Sequence, residues 1–132
     1  MSDYRNRPAL YESAPLGSIL DMNEERPAVL VLVRDLLFAS KIRATAQSLD
    51  AAVQVLRDPA QLNDAGGNRL IVDLNQPGAL DVAVAWKRRT GGHVVGFVSH
   101  VDTETIRAAR EAGVDQVLPR SRFVEILPDL LR

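Results

Sequence analysis

Leu70-Ile71-Val72-Asp73-Leu74-Asn75-Gln76-Pro77-Gly78 joins an apolar run to a tight turn through a single carboxylate. Consecutive aliphatic residues with no polar alternation read as a strand covered on both faces. Pro77-Gly78 breaks that strand and opens a helical segment, 78–89, in which Ala79, Ala83 and Trp86 point inward before Gly91-Gly92 stops it. A buried strand, a turn and a helix make half of a βαβ unit, and open α/β sheets keep their ligand sites at the carboxyl ends of the strands. Asp73 stands at that end.

The same rhythm runs from Pro27 to the C-terminus. Ala28 to Val33 reads as a first strand, and Phe38, Ile42, Ala46 and Leu49 share one helical face after it. Val53 to Leu56 is a second strand, followed by Asp58 as an N-cap, Pro59 at the first helical position and Gly66-Gly67 as the stop. Val94 to Val98 is the fourth strand. Asp102 caps the next helix, in which Ile106 and Ala109 share a face, and Gly113 ends it. Val117-Leu118 forms the core of a fifth strand. The last helix uses Phe123, Ile126, Leu127 and Leu130, with Ser121 as its cap and Pro128 expected to kink or shorten it. Five strands alternating with five helices predict a flavodoxin-like α/β fold, a doubly wound parallel sheet of order 2-1-3-4-5 in three α/β/α layers.

Residues 1–26 carry Pro8, Pro15 and Gly17 with scattered apolar side chains and no period. They read as a flexible arm, or as a segment in which Ser18 to Met22 packs as an extra strand or short helix; residues 27–132 are the domain. The 132 residues suffice for one core without staples. A net charge of −1 gives no electrostatic case for nucleic acid or an anionic membrane. The absence of cysteine excludes disulfides and thiolate chemistry, and a four-ligand Cys/His zinc site as well, since His93 and His100 are the only histidines. No apolar stretch reaches membrane-spanning length and no leader-like segment opens the chain, so a soluble, cytoplasmic protein is expected. Neither Gly-rich phosphate-loop pattern occurs.

The predicted topology gathers the loops after the strands: Arg34-Asp35, Asp73 with Asn75, Ser99-His100, and Pro119-Arg120-Ser121. Such a set has a chemistry. A carboxylate can be a nucleophile toward phosphorus, Mg²⁺ held by carboxylates and carbonyls can neutralise phosphoryl charge, and a cation with a hydroxyl can bind the remaining oxygens. His100 reads as an exposed loop residue, with a pH-sensitive gate as the alternative. His93 reads as a strand-end residue, Trp86 as partly buried packing, and Lys87-Arg88-Arg89 as a basic helix end.

Residues 28–127 resemble the receiver domain of bacterial response regulators, the family of the chemotaxis regulator. The 70–78 stretch is similar to the family's phosphoacceptor turn, an Asp followed four residues later by Pro. The resemblance implies Asp73 as the phosphoacceptor position, Asp35, Asp73 and the Asn75 carbonyl as Mg²⁺ ligands, and Ser99 as the switch hydroxyl. Glu111 to Leu118 resembles the family's approach to its fifth strand. Four positions depart from the pattern. Arg34 replaces the first of two adjacent acids, Arg120-Ser121 with Pro119 ahead of it replaces a Lys-Pro pair, His100 takes the place of a small residue, and Val117 that of an aromatic. A guanidinium ~5 Å from a divalent ion repels it by roughly 6 kcal/mol at an effective dielectric of ~20.

The expected function is therefore that of a stand-alone receiver-like signalling protein, not an enzyme, acting through protein contacts independently of phosphorylation and without a cofactor. Its pocket is Arg34, Asp35, Ser99, His100 and Arg120 around Asp73, held by ion pairs. The alternatives are a functional receiver phosphorylated at Asp73 by a histidine kinase with Mg²⁺, and a small-ligand-binding flavodoxin-like module. The family's output surface maps to residues 102–132, where a partner protein or a second copy would dock; an exposed Ile106 or Val124 would support that face.

Overall fold

The computed structural model describes residues 29–100 and 102–132; the division at residue 26 and the possible element at Ser18 to Met22 lie outside them. In chain order the elements are β1 (Val29–Leu32), α1 (Leu36–Ser48), β2 (Val53–Leu56), a 3₁₀ helix (Pro59–Asp64), β3 (Arg69–Asp73), α2 (Ala79–Thr90), β4 (His93–Val98), α3 (Thr103–Ala112), β5 (Gln116–Pro119) and α4 (Arg120–Leu131). The strands form one parallel sheet of order β2-β1-β3-β4-β5.

Side chains of a strand alternate between faces, and β1 shows why its sequence is apolar throughout. Val29 and Val31 enter a core with Phe38, Ile42, Phe97, Phe123 and Leu127 under α1 and α4. Leu30 and Leu32 enter the opposite core with Leu62, Ala83, Trp86 and Ala109, under the 3₁₀ helix, α2 and α3. A polar residue at any of these four positions would be buried without a partner. The register pairs Leu30 with Leu70 and Val31 with Ile71, so β3 is sandwiched in the same way. That brings the ends of β1 and β3, and with them Asp35 and Asp73, to one edge.

Four details differ from the sequence reading. The second helical segment is 3₁₀ and ends at Asp64, short of Gly66-Gly67. Its capping box forms as its residues suggest, with Asp58 Oδ1 accepting from the Ala60 N–H and Gln61 Oε1 from the Asp58 N–H. Only Leu62 is buried, however, and one anchor does not sustain a longer α-helix. Trp86 is fully buried, at 1% exposure, because Gly92 leaves room for the indole: a Cβ there would lie 2.2 Å from Trp86 Cη2.

The other two differences are in α4. Its N-cap is Pro119, with no capping side chain, so Ser121 lies inside the first turn. The helix also runs through Pro128 to Leu131. Proline has no N–H to give the preceding turn, but Leu127, Leu130 and Leu131 are all buried and hold the last turn in place. By contrast, Asp102 and Gly113 bound α3 as expected, the first accepting from the Glu104 and Thr105 N–H groups and the second at φ 102°.

Candidate functional site

β3 delivers Asp73 to the edge of the sheet half-buried, beside Phe97 of β4 in register. Its Oδ1 accepts a hydrogen bond of 3.0 Å from the Asn75 N–H, closing an Asx turn. The Leu74 N–H donates to the Phe97 carbonyl at 2.9 Å, so the strand pairing continues one residue beyond the acid. Burial pushes the Asp73 carboxyl above its ordinary value of 3.8. The Asn75 N–H and the charges of Arg120 and Arg34 pull the other way, and Asp35 adds to the upward push.

The two arginines act on Asp73 only from a distance. Among the described residues no cation forms an ion pair with Asp73, and Arg34 is exposed. Arg120 Nη2 instead lies 3.8 Å from Asp35 Oδ2, and its guanidinium sits 3.9 Å over the centre of the Phe38 ring. The ion pair expected at Asp73 is thus found at Asp35. The aromatic base beneath Arg120 consists of every phenylalanine in the chain. Phe97 and Phe123 stack at 4.6 Å, and Phe38 meets Phe97 edge-on at 5.3 Å. A planar guanidinium lies on such a surface where an ammonium would not.

Asp35 is also the N-cap of α1. Its Oδ1 accepts from the Leu37 N–H at 2.9 Å and the Phe38 N–H at 3.1 Å. One carboxylate oxygen therefore satisfies helix donors and the other faces Arg120.

Ser99 and His100 are exposed, as expected for a loop after β4. Both of their N–H groups donate to the Asn75 side-chain oxygen, at 2.6 and 3.1 Å. Sequence reasoning valued Asn75 for its backbone carbonyl and missed this side-chain clamp. Gln76 was missed too. It is 7% exposed, and its Nε2 donates to the Arg57 carbonyl at 2.9 Å, tying the turn to the loop after β2. A polar residue between Asn75 and Pro77 is unremarkable in a turn, so nothing local marked it.

A Mg²⁺ ion takes one or two carboxylates together with other oxygens, and the carboxylates near one another here are Asp35 and Asp73. Among the described residues no three His, Asp or Glu side chains are placed to hold a metal ion. Of the two carboxylates present, Asp35 is engaged by two N–H groups and an arginine. With Arg34 and Arg120 beside Asp35 and Asp73, the site is neutral before any cation enters.

No protein-family model and no curated protein matches the chain. Solved structures do, through the fold. A response regulator from Burkholderia pseudomallei, with a phosphorylated aspartic acid, calcium ion and citrate, superposes with a TM-score of 0.67 at 16% identity; the match covers 80% of this chain and 66% of that one. A CheY-like response regulator receiver domain protein from Methanospirillum hungatei gives 0.65 at 13% identity, over 80% and 94% of the two chains. The BeF3-activated DrrB receiver domain gives 0.67 at 17% identity, over 79% and 92%. The chain has the CheY-like fold of response regulator receiver domains. Among the described residues no helix is long and apolar enough to cross a membrane.

Proposed function

We propose that this protein is a receiver-like signalling module that acts by protein contact and does not depend on metal-assisted phosphorylation of Asp73. The observation that carries this reading is the state of Asp35. The carboxylate that would ligate the metal caps α1 through the Leu37 and Phe38 N–H groups and pairs with Arg120. Binding a metal there would set a divalent ion at the oxygen that faces Arg120 and bring it toward Arg34. The receiver fold itself supports a signalling role by analogy.

A second reading keeps Asp73 as an acceptor for a histidine kinase. It is favoured by the absence of an ion pair on Asp73 among the described residues and by the exposure of Arg34, which leaves the acid approachable. The two readings separate on incubation with a small phosphoryl donor and Mg²⁺, followed by intact-mass measurement. The first expects no phosphoryl adduct, and a stable adduct lost in Asp73→Asn establishes the second.

The partner surface follows from the apolar exposure. Ile106 and Val124 are both partly buried, which leaves the 102–132 face without the exposed aliphatic anchor that would have supported it. The exposed large hydrophobic residues among those described are Leu36 and Leu37, at 56% and 85%, on the first turn of α1 beside Asp35. Adjacent exposed apolar side chains mark a candidate contact patch. A protein partner is therefore tested on both faces, with Leu37→Lys against Ile106→Lys.

A further inference from the structure

Leu36 and Leu37 are the exposed large hydrophobic residues among those described, and the packing of the domain gives no reason for them. The inward stripe of α1 is Phe38, Ala39, Ile42 and Ala46, and neither leucine belongs to it. A helix start ordinarily takes acidic or polar side chains, which the partial positive charge of its free N–H groups favours. Beyond the Asp35 cap the first turn of α1 has no acid, and it offers two adjacent leucines to solvent instead. Their surroundings are basic. Arg34 and Lys41 are both exposed, with Lys41 one turn after Leu37 on the same face. The neighbouring acid, Asp35, is already paired with Arg120. An occupant that suits this patch is apolar and acidic.

The chain itself contains such a segment. Residues 18–25 carry Ile19, Leu20 and Met22 together with Asp21, Glu24 and Glu25, and no base. They lie outside the described residues, a few positions before β1. Their tether is long enough. The seven steps of chain from Val29 to Leu36 cannot span more than about 25 Å, whereas the nine from Val29 back to Leu20 can reach roughly 30 Å. Two leucines fall well short of the roughly 20–30 residues a side with which separate proteins form a stable complex. A segment of the same chain needs far less, because its tether holds it at an effective concentration in the millimolar range. We propose that Leu36 and Leu37, flanked by Arg34 and Lys41, form the docking surface for this chain's own residues 18–25, beside the Asp35–Asp73 site. A partner protein that uses the same face then has to displace the segment, which makes access to the face a competition. The contact goes beyond the signalling reading and does not depend on it.

The chain has no cysteine, so Ser18→Cys gives the full chain a single attachment point for a nitroxide spin label. Amide NMR then reads which signals the label broadens. Selective broadening is expected at Leu36, Leu37 and Lys41. It should be lost in the Leu36→Ser/Leu37→Ser double variant, whose substitutions are exposed and leave the core untouched. Arg34→Glu should weaken it, while Arg34→Lys, which keeps the charge, should not. Without any label, Ile19→Ser/Leu20→Ser should shift the Leu36 and Leu37 amide signals. In a mixture where some chains carry the label and others the NMR isotope, no broadening is expected at these positions. Broadening in that mixture would assign the patch to a second copy and overturn the proposal. An absence of broadening over α1 would overturn it too, as would broadening that the double leucine variant or Arg34→Glu leaves at full size. Unmoved Leu36 and Leu37 signals in Ile19→Ser/Leu20→Ser would count against it equally. None of these readings involves phosphate, metal or a partner, so failure here is distinct from failure of the functional reading.

Discussion

The guanidinium of Arg120 lies 3.9 Å above the ring of Phe38, while its Nη2 is 3.8 Å from the carboxylate that caps the same helix. One cation at the start of α4 is thereby fastened to the start of α1, paired with Asp35 and acting on Asp73 only from a distance.

Arg120→Ala is expected to cost roughly 1 kcal/mol in urea denaturation, because a partly exposed cation–π contact and a long ion pair are each worth less than that alone. Arg120→Lys should fall between, keeping the charge and losing the planar contact. The alanine variant also removes one of the charges that hold the Asp73 carboxyl down. Carboxyl-carbon NMR should then show Asp73 titrating at a higher pH than in the wild type.

Asp73 and Asp115 should bend the stability–pH curve in opposite directions. Burial raises Asp73 above 3.8, so the folded state holds its proton to higher pH than the unfolded chain does. Its contribution is neutral below 3.8 and turns destabilising as pH rises through the folded value. Asp73→Asn should therefore be more stable than wild type at pH ~7, with the gain disappearing on acidification below the ordinary carboxyl range. For Asp115, partial burial pushes upward but is outweighed by bonds from Lys87 Nζ at 2.7 Å and the Val94 N–H at 2.8 Å, leaving its carboxyl below 3.8. Its stabilisation is present above 3.8 and is lost as pH falls through the folded value. Asp115→Ala should cost roughly 1–2 kcal/mol at neutral pH, discounted for exposure, and that difference should shrink in acid. Urea midpoints across the pH range check both signs.

Gly96 sits on β4 opposite Val72, where a Cβ would lie 2.5 Å from Leu74 Cδ1 and 2.8 Å from its Cγ. Gly96→Ala should destabilise by about 1–3 kcal/mol, the usual cost of overpacking a tight core. Leu74→Ala in the same chain should recover part of the loss, and a double-mutant cycle in urea measures the coupling.

Pro128 interrupts the hydrogen-bond ladder of a helix that continues through it. Pro128→Ala supplies the missing donor and relieves the ring's crowding of the preceding turn, so a stabilisation of about 1–3 kcal/mol is expected. Equal thermal midpoints for the two proteins would show that the helix has already absorbed the defect.

What could be read from the chain depended on how local its cause was. Val53–Leu56, the Asp102 cap and the Gly113 stop are set by residues within one turn of themselves, and they stand where the sequence puts them. The convergence of Asp35, Asp73, Asn75, Ser99 and Arg120 at one edge was also legible, because a parallel sheet of this order leaves the strand ends nowhere else to go. The partners of those side chains were not. Arg120 could have met either acid, and the three phenylalanines that decide the matter come from α1, β4 and α4. The Asn75 clamp needs the loop after β4 to lie against the turn after β3, a contact across 24 residues that no spacing predicts. Trp86 was underestimated because Gly92, in the loop just after α2, read only as a helix stop, whereas its missing side chain makes the room for the indole.

On the proposed function, the Asp35–Asp73 site works without a metal. Amide NMR during addition of Mg²⁺ and then beryllofluoride tests it most directly. No saturable shifts are expected at Asp73, Ser99 or Val117 at high Mg²⁺, with the fold intact throughout. Broad saturable shifts at those residues, abolished by Asp73→Asn, would contradict it.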